Sequence, residues 1–259
     1  MSAPARVLII AGSDPGGGAG LQADLKTVTM LGGFAMAAVT ALTVQDTRRV
    51  HSVEAVAADL IAEQIRVVLA DLGADAVKLG LVPTAAAAQA IARALDGFSG
   101  PVVLDPVLTA TSGDELSAAG EALVRHLFPI ATLVTPNMPE ARQLLQRPLG
   151  DPAADLAELA RQGPRAVLLK GGHGTGATLV DQLRDADGRM HRFVDPRIDT
   201  RHTHGTGCTL ASAIATGLAQ GLDLVAAVAR ARSFVRAAIL AAPGFGAGHG
   251  PLGHGQVRL

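Results

Sequence analysis

Apolar and polar positions follow two different periods along this chain, and the switch between them sets out its elements. Short apolar runs rich in valine, isoleucine and leucine lie at Arg6–Ala11, Ala35–Leu42, Ala76–Leu79, Val102–Asp105, Leu133–Thr135 and Ala166–Lys170. Their continuity predicts strands buried on both faces. Between them, apolar residues recur at helical spacing over Gly20–Leu31, Leu60–Leu72, Ala85–Leu95, Glu115–Phe128 and Met138–Leu145. This alternation predicts an α/β fold with a mostly parallel central sheet covered by helices on both faces. Thr178–Leu183 and Met190–Val194 flank Asp185–Gly188 as a hairpin, and helices are expected at Cys208–Gln220 and Leu224–Ala241. The Gly-, Pro- and His-rich stretch Pro243–His254 reads as irregular. No linker, repeat or low-complexity break divides the chain, so residues 1–259 are read as one domain.

Composition narrows the function. Hydrophobic residues make up 49% of the chain, yet the excess is alanine and valine within periodic segments, and no run reaches the length of a membrane span. Residues 1–11 lack a signal-peptide pattern, and a single cysteine suits a reducing compartment, so a cytoplasmic location is expected. The net charge is −1, no Lys/Arg cluster stands out, and Trp and Tyr are absent. A nucleic-acid binder needs a basic footprint and often aromatic platforms, so neither nucleic acid nor membrane is an expected partner.

The chemistry gathers at strand ends, where open α/β sheets place their ligands. The first strand runs into Gly12-Ser-Asp-Pro-Gly-Gly-Gly-Ala-Gly20, the fourth ends at Asp105-Pro106, the fifth at Thr135-Pro-Asn-Met-Pro-Glu140 and the sixth at Lys170–Gly176. The most informative stretch is His202-Thr-His-Gly-Thr-Gly-Cys-Thr209. A glycine turn feeding a helix start leaves backbone N–H groups pointing one way, which suits an anion. A thiol there would have its thiolate favoured by the same field. Cys208 could instead be a small buried hydrophobe, or a zinc ligand with His202 and His204, although no further ligand cluster supports zinc. Two familiar nucleotide motifs are absent from these strand-end loops. There is no Gly-Lys pair for a Walker A loop, and the glycine clusters at 16–20, 171–176 and 205–207 all fail the G-x-G-x-x-G spacing.

A resemblance then becomes specific. The run from Val7 to Lys26 resembles the opening of the hydroxymethylpyrimidine/phosphomethylpyrimidine kinases of thiamine biosynthesis, in the ribokinase-like superfamily. The likeness continues through Thr40–Thr47, Val103–Val107, Thr135–Ala141, Leu169–His173, Thr203–Thr209 and Gly248–His254, in the family's order. It implies a ribokinase-like three-layer sandwich, ATP and Mg²⁺ as cofactors, an aminopyrimidine alcohol and its phosphate as substrates, and a homodimer. It further implies that Gly205, Thr206, Gly207 and Cys208 form an anion hole, with Cys208 accepting the substrate hydroxyl proton. Asp105 and Glu140 would hold Mg²⁺, partly through water. Asn137 and Glu140 also have the spacing of a capping box, which would explain both without a metal. Lys170, with Asn137 and Thr203, would serve the nucleotide. Asp24, Gln45, Leu81 and Gly12 would surround the pyrimidine, since Gln or Asp can pair with its ring nitrogens and exocyclic amine.

Several positions depart from the family pattern. Leu81 stands where methionine is usual, Asp46 and His202 where asparagine is usual, and Leu108-Thr109 where Met-Val is common. They bear on the preference between hydroxymethylpyrimidine and pyridoxine-type alcohols. A pyridoxine/pyridoxal kinase on the same fold is therefore the alternative enzyme, and a non-catalytic ligand sensor the alternative of another class.

Overall fold

A nine-stranded sheet forms the spine of the computed structural model, which describes residues 3–109, 116–117, 119–172 and 176–257. Its strands are β1 (Arg6–Ser13), β2 (Phe34–Gln45), β3 (Val50–Ala55), β4 (Ala76–Leu79), β5 (Val102–Leu104), β6 (Leu133–Val134), β7 (Ala166–Leu169), β8 (Thr178–Arg184) and β9 (Met190–Pro196). Their order is β3-β2-β1-β4-β5-β6-β7-β8-β9. The strands from β2 to β7 are parallel, and β3, β8 and β9 pair antiparallel to their neighbours.

The continuous apolar runs are explained by burial on both faces. Along β1, Leu8 and Ile10 enter one core, while Val7, Ile9 and Ala11 enter the other. The first core packs against α2 (Ala58–Asp71), α3 (Ala85–Ala94), α5 (Met138–Leu145) and α6 (Pro152–Arg161). The second lies under α1 (Gly20–Met30), α7 (Thr206–Ala219) and α8 (Leu224–Leu240). Each fully buried Leu, Ile or Val side chain contributes about 1.5–3 kcal/mol. The result is the expected three-layer sandwich.

Some elements differ from the sequence expectation. Over Glu115–Phe128 the described residues show a helical turn, α4 (Gly120–Ala122), a π turn over Leu123–Leu127 and a 3₁₀ turn over Phe128–Ile130. Pro129 has no N–H to offer the Arg125 carbonyl, so an α-ladder cannot continue there. Glu115, like His173 to Thr175 of the strand-end loop after Lys170, lies outside the described residues. The edge strand β3 and helix α6 are additions to the expected elements. Yet α6 carries plain signals: Asp151 caps it by accepting from the Ala154 amide, and Pro152 occupies its first turn. Helix α7 begins at Thr206, so Cys208 is its third residue rather than its first.

Candidate active site

Two glycine turns meet at the C-terminal ends of the parallel strands. The loop after β1 folds around Asp14, whose Oδ1 accepts from the Gly16 amide at 2.8 Å and whose Oδ2 accepts from Gly18 and Ala19 at 2.9 and 2.8 Å. His204 Nε2 meets the same Oδ2 at 3.0 Å and ties this loop to the turn before α7. Burial alone would raise Asp14, but His204 and the Ala19 and Gly16 amides outweigh it and hold the carboxyl below its usual range. Gly205 adopts φ +86°, and a Cβ there would stand 1.9 Å from the Gly18 carbonyl oxygen. Only glycine fits. Thr206, Gly207 and Cys208 open α7, so their amides belong to the first turn of a helix and lack carbonyls four residues back. Thr203 lies just before this turn, its carbonyl accepting from the Thr206 amide at 3.3 Å.

Beside this turn, three charged side chains from separate elements converge. Lys170, following β7, donates to Asp105 Oδ1 at 2.7 Å and lies 3.9 Å from Glu140 Oε2. Thr135 Oγ1 donates to the same Asp105 oxygen at 3.1 Å. A Cβ on Gly207 would be 3.2 Å from both Asp105 Oδ2 and Lys170 Nζ, so the anion turn and the charged cluster share one place. Asn137 and Glu140 do form the capping box, with Asn137 Oδ1 accepting from the Glu140 amide at 2.9 Å and Glu140 Oε2 from the Asn137 amide at 2.8 Å. The box orients Glu140 toward Lys170 and thereby serves the cluster as well as the helix. Burial pushes the Glu140 carboxyl up to about 7; Asp105 adds to the rise and Lys170 only partly offsets it. Against burial, Asp105 and Glu140 hold the Lys170 ammonium above its ordinary value.

The cluster is therefore short of positive charge. Two hard-oxygen carboxylates match the few charged ligands that Mg²⁺ takes from a protein. Among the described residues no three His, Cys, Asp or Glu side chains gather as a metal cage, and His204 turns to Asp14 rather than toward a zinc ion.

A cavity of about 380 Å³ opens alongside, lined by Asp14, Gln45, Asp46, Thr47, His204 and Gly246 among others. Gln45 ends β2, and its amide donates to Thr43 Oγ1 at 2.8 Å. Gly12 and Leu81 touch each other: a Cβ on Gly12 would be 2.9 Å from Leu81 Cδ2.

Two sequence expectations need correction. Asp24 does not face the cavity. It is fully buried, with Oδ2 accepting from Lys78 Nζ at 2.6 Å and Oδ1 from Ser212 Oγ at 2.6 Å, so neither oxygen is left to read a pyrimidine. Its place on the inner face of α1 is what the helical period dictates, and its pairing with Lys78, 54 residues away, is invisible to local pattern. The Cys208 thiol is also not predisposed to ionise. Burial, with Asp24 and Asp105 adding negative field, pushes it up to about 12, against which Lys78 and the Gly20 amide are insufficient. Burial comes first among these causes, and the carboxylates that add to it come from distant parts of the sequence.

Known proteins share this arrangement of elements. The family model described as phosphomethylpyrimidine kinase matches residues 14–253. A hydroxymethylpyrimidine/phosphomethylpyrimidine kinase from Rhizobium meliloti is 46% identical over 258 residues, covering 95% of this chain and 96% of that protein. The chain belongs to the phosphomethylpyrimidine kinase family. It is thereby a kinase. A thiamine biosynthesis bifunctional protein from Geobacter sulfurreducens is 48% identical over 255 residues, covering 96% of this chain and 52% of that protein. The chain thus spans about half the length of that relative. Among solved structures, the pyridoxal kinase of Staphylococcus aureus in complex with ADP superposes with a TM-score of 0.88 at 31% identity, covering 98% of this chain and 94% of that one. The match to the phosphomethylpyrimidine kinase model includes every candidate site residue except Gly12.

Proposed function

We propose that this kinase transfers the γ-phosphoryl group of ATP to 4-amino-5-hydroxymethyl-2-methylpyrimidine and then to the resulting monophosphate, giving the diphosphate. The observation that carries this reading is the meeting of the Gly205–Cys208 turn with Asp105, Glu140 and Lys170, in a chain of this family. In the first step the substrate O–H bond breaks toward Cys208 while the oxygen bonds to the γ-phosphorus; in the second an oxygen of the substrate monophosphate, unprotonated in its dianion, bonds to the γ-phosphorus directly. The bridging P–O bond breaks, and its electron pair leaves with ADP. The amides of Gly205–Cys208 hold the charge on the transferred group, and Lys170 meets the nucleotide phosphates as a point charge. Mg²⁺ held by Asp105 and Glu140 would neutralise phosphate charge and cancel part of the field that keeps Cys208 protonated. Asn137 acts through the capping box that aims Glu140, and Thr203 through the turn it anchors.

Gln45, Gly12 and Leu81 are the residues left to shape the pyrimidine side. A pyridoxal kinase is the second reading, supported by the likeness to the Staphylococcus aureus enzyme. Leu42 and Val44, exposed on β2 beside the β3 edge, are where a second copy would cover apolar surface in the proposed homodimer. Among the described residues no helix is long and apolar enough to cross a membrane, and a cytoplasmic setting is part of the proposal.

Two variants probe the assignment. Asp105→Asn keeps the side-chain shape but removes one ligand charge, so turnover should need on the order of 10–100-fold more Mg²⁺ and be partly restored by it. A Mg²⁺ titration that overlays the parent's would make Asp105 structural. Gln45→Ala should raise KM for the pyrimidine with KM for ATP unchanged, because it removes a ground-state contact to one substrate. An equal loss for ATP would place Gln45 elsewhere.

A further inference from the structure

Lys78 lies in the middle of β4, a strand buried along its whole length. Its register partners on either side are Ile9 and Val103, both members of the apolar layer beneath α1 and α7. A lysine at this position interrupts an otherwise apolar face, and its side chain is fully buried. Asp24 on α1 accepts from its ammonium at 2.6 Å and is held in turn by Ser212 Oγ at 2.6 Å. Ser212 stands four residues beyond Cys208 on α7, one turn along the same helix face. The pair is poorly accounted for by stability, because a buried ion pair can often be replaced by apolar residues of like volume at no cost.

We infer that Lys78 is a positioning residue for phosphoryl transfer: its buried ammonium, held by Asp24 and through it by Ser212 of α7, fixes a positive charge beside the helix face that carries Cys208 and so lowers the cost of negative charge on its sulfur. The inference rests on the reading of Cys208 as proton acceptor. The charged and polar groups acting on Cys208 come from several elements. Lys78 on β4, Lys170 after β7 and the Gly20 amide of α1 favour the thiolate, while Asp24 on α1 and Asp105 after β5 oppose it. Lys78 is foremost among the favourable ones, and Cys208 in turn helps to keep Lys78 charged. Asp24 has a double role: it fixes the ammonium in place and tempers its field.

The two members of the pair therefore predict effects of opposite sign, which a packing role would not produce. The experiment alkylates the single cysteine of the 259-residue chain with iodoacetamide between about pH 8 and pH 10, where the rate follows the thiolate fraction. It measures kcat and KM for ATP in parallel. Lys78→Met removes the cation at similar length, and the alkylation rate at a given pH should fall about tenfold or more. Its kcat should fall at least about tenfold, with KM for ATP held within about twofold. Asp24→Asn frees the ammonium toward the sulfur, and the alkylation rate should rise by a comparable factor. If Lys78→Met does not fold, the double variant Lys78→Met/Asp24→Asn removes both buried charges together, and it should react more slowly than Asp24→Asn alone. Rates that stay at the parent value, that move the same way in Lys78→Met and Asp24→Asn, or that are equal in Asp24→Asn and the double variant, overturn the inference. Failure of the base reading is told apart by Cys208→Ala: full turnover in that variant removes the base role, while the alkylation rates of the Lys78 and Asp24 variants still report the coupling.

Discussion

Cys208→Ala is expected to retain nucleotide binding and lose on the order of 10²–10⁴ in turnover, the usual worth of a general base. The thiol sits at the third residue of α7, one residue from the Gly207 backbone that faces Asp105 and Lys170. His204, the neighbouring imidazole, is held by Asp14, and Thr206 offers only a hydroxyl. In the free protein the group is a thiol, because burial and two carboxylates push it up to about 12. Iodoacetamide should therefore modify it more slowly at neutral pH than an ordinary thiol with pKa near 8.5, with a rate still climbing where that thiol has levelled off. This reverses what the glycine turn alone suggests. A stable Cys208→Ala protein with full activity would make the residue a packing group. A less stable one with full activity would do the same.

Gly205→Ala should have an effect of similar size by a different route. Its left-handed backbone costs an L-residue about 1–3 kcal/mol, and the new Cβ would also collide with the Gly18 carbonyl, 1.9 Å away. The two glycine turns cannot both stay in place. Loss of one aligned anion-hole donor costs about 10²–10³ in kcat, so at least that loss is expected. Gly221 separates strain from displacement, since it has the same φ of +86° and nothing within 4 Å of the place a Cβ would take. Gly221→Ala should lower the melting temperature by about 2–4 °C per kcal/mol of strain and leave turnover near the parent's. Equal losses of activity in the two variants would mean that Gly205 matters only for stability.

The fold is legible in the sequence because its strands are buried on both faces, which writes them as unbroken apolar runs. The elements that are harder to read have weaker or competing signals. Strand β3 is an exposed edge whose alternation, Val50-His-Ser-Val-Glu-Ala55, is short. The π and 3₁₀ turns before β6 answer to Pro129, not to apolar spacing. At the site, motif order brings together Asp105, Glu140, Lys170 and the Gly205–Cys208 turn, which the structure places side by side. Asp24 is misread from sequence because its role depends on Lys78, 54 residues away in the chain. Asp14 and His204, 190 residues apart, escape as a pair for the same reason. Long-range ion pairs leave no periodic trace. A lysine inside an apolar strand is the one local sign available.

The most direct test of the proposed function is product identification with ATP and Mg²⁺, supplying 4-amino-5-hydroxymethyl-2-methylpyrimidine, its monophosphate and pyridoxal separately. The expected result is ADP formed in step with phosphorylation of both pyrimidines, the alcohol being carried through the monophosphate to the diphosphate. Its kcat/KM should lie at least about tenfold above that for pyridoxal, equivalent to about 1.4 kcal/mol of transition-state preference. Phosphorylation of pyridoxal with equal or greater kcat/KM, or no phosphate transfer to either pyrimidine, would contradict it.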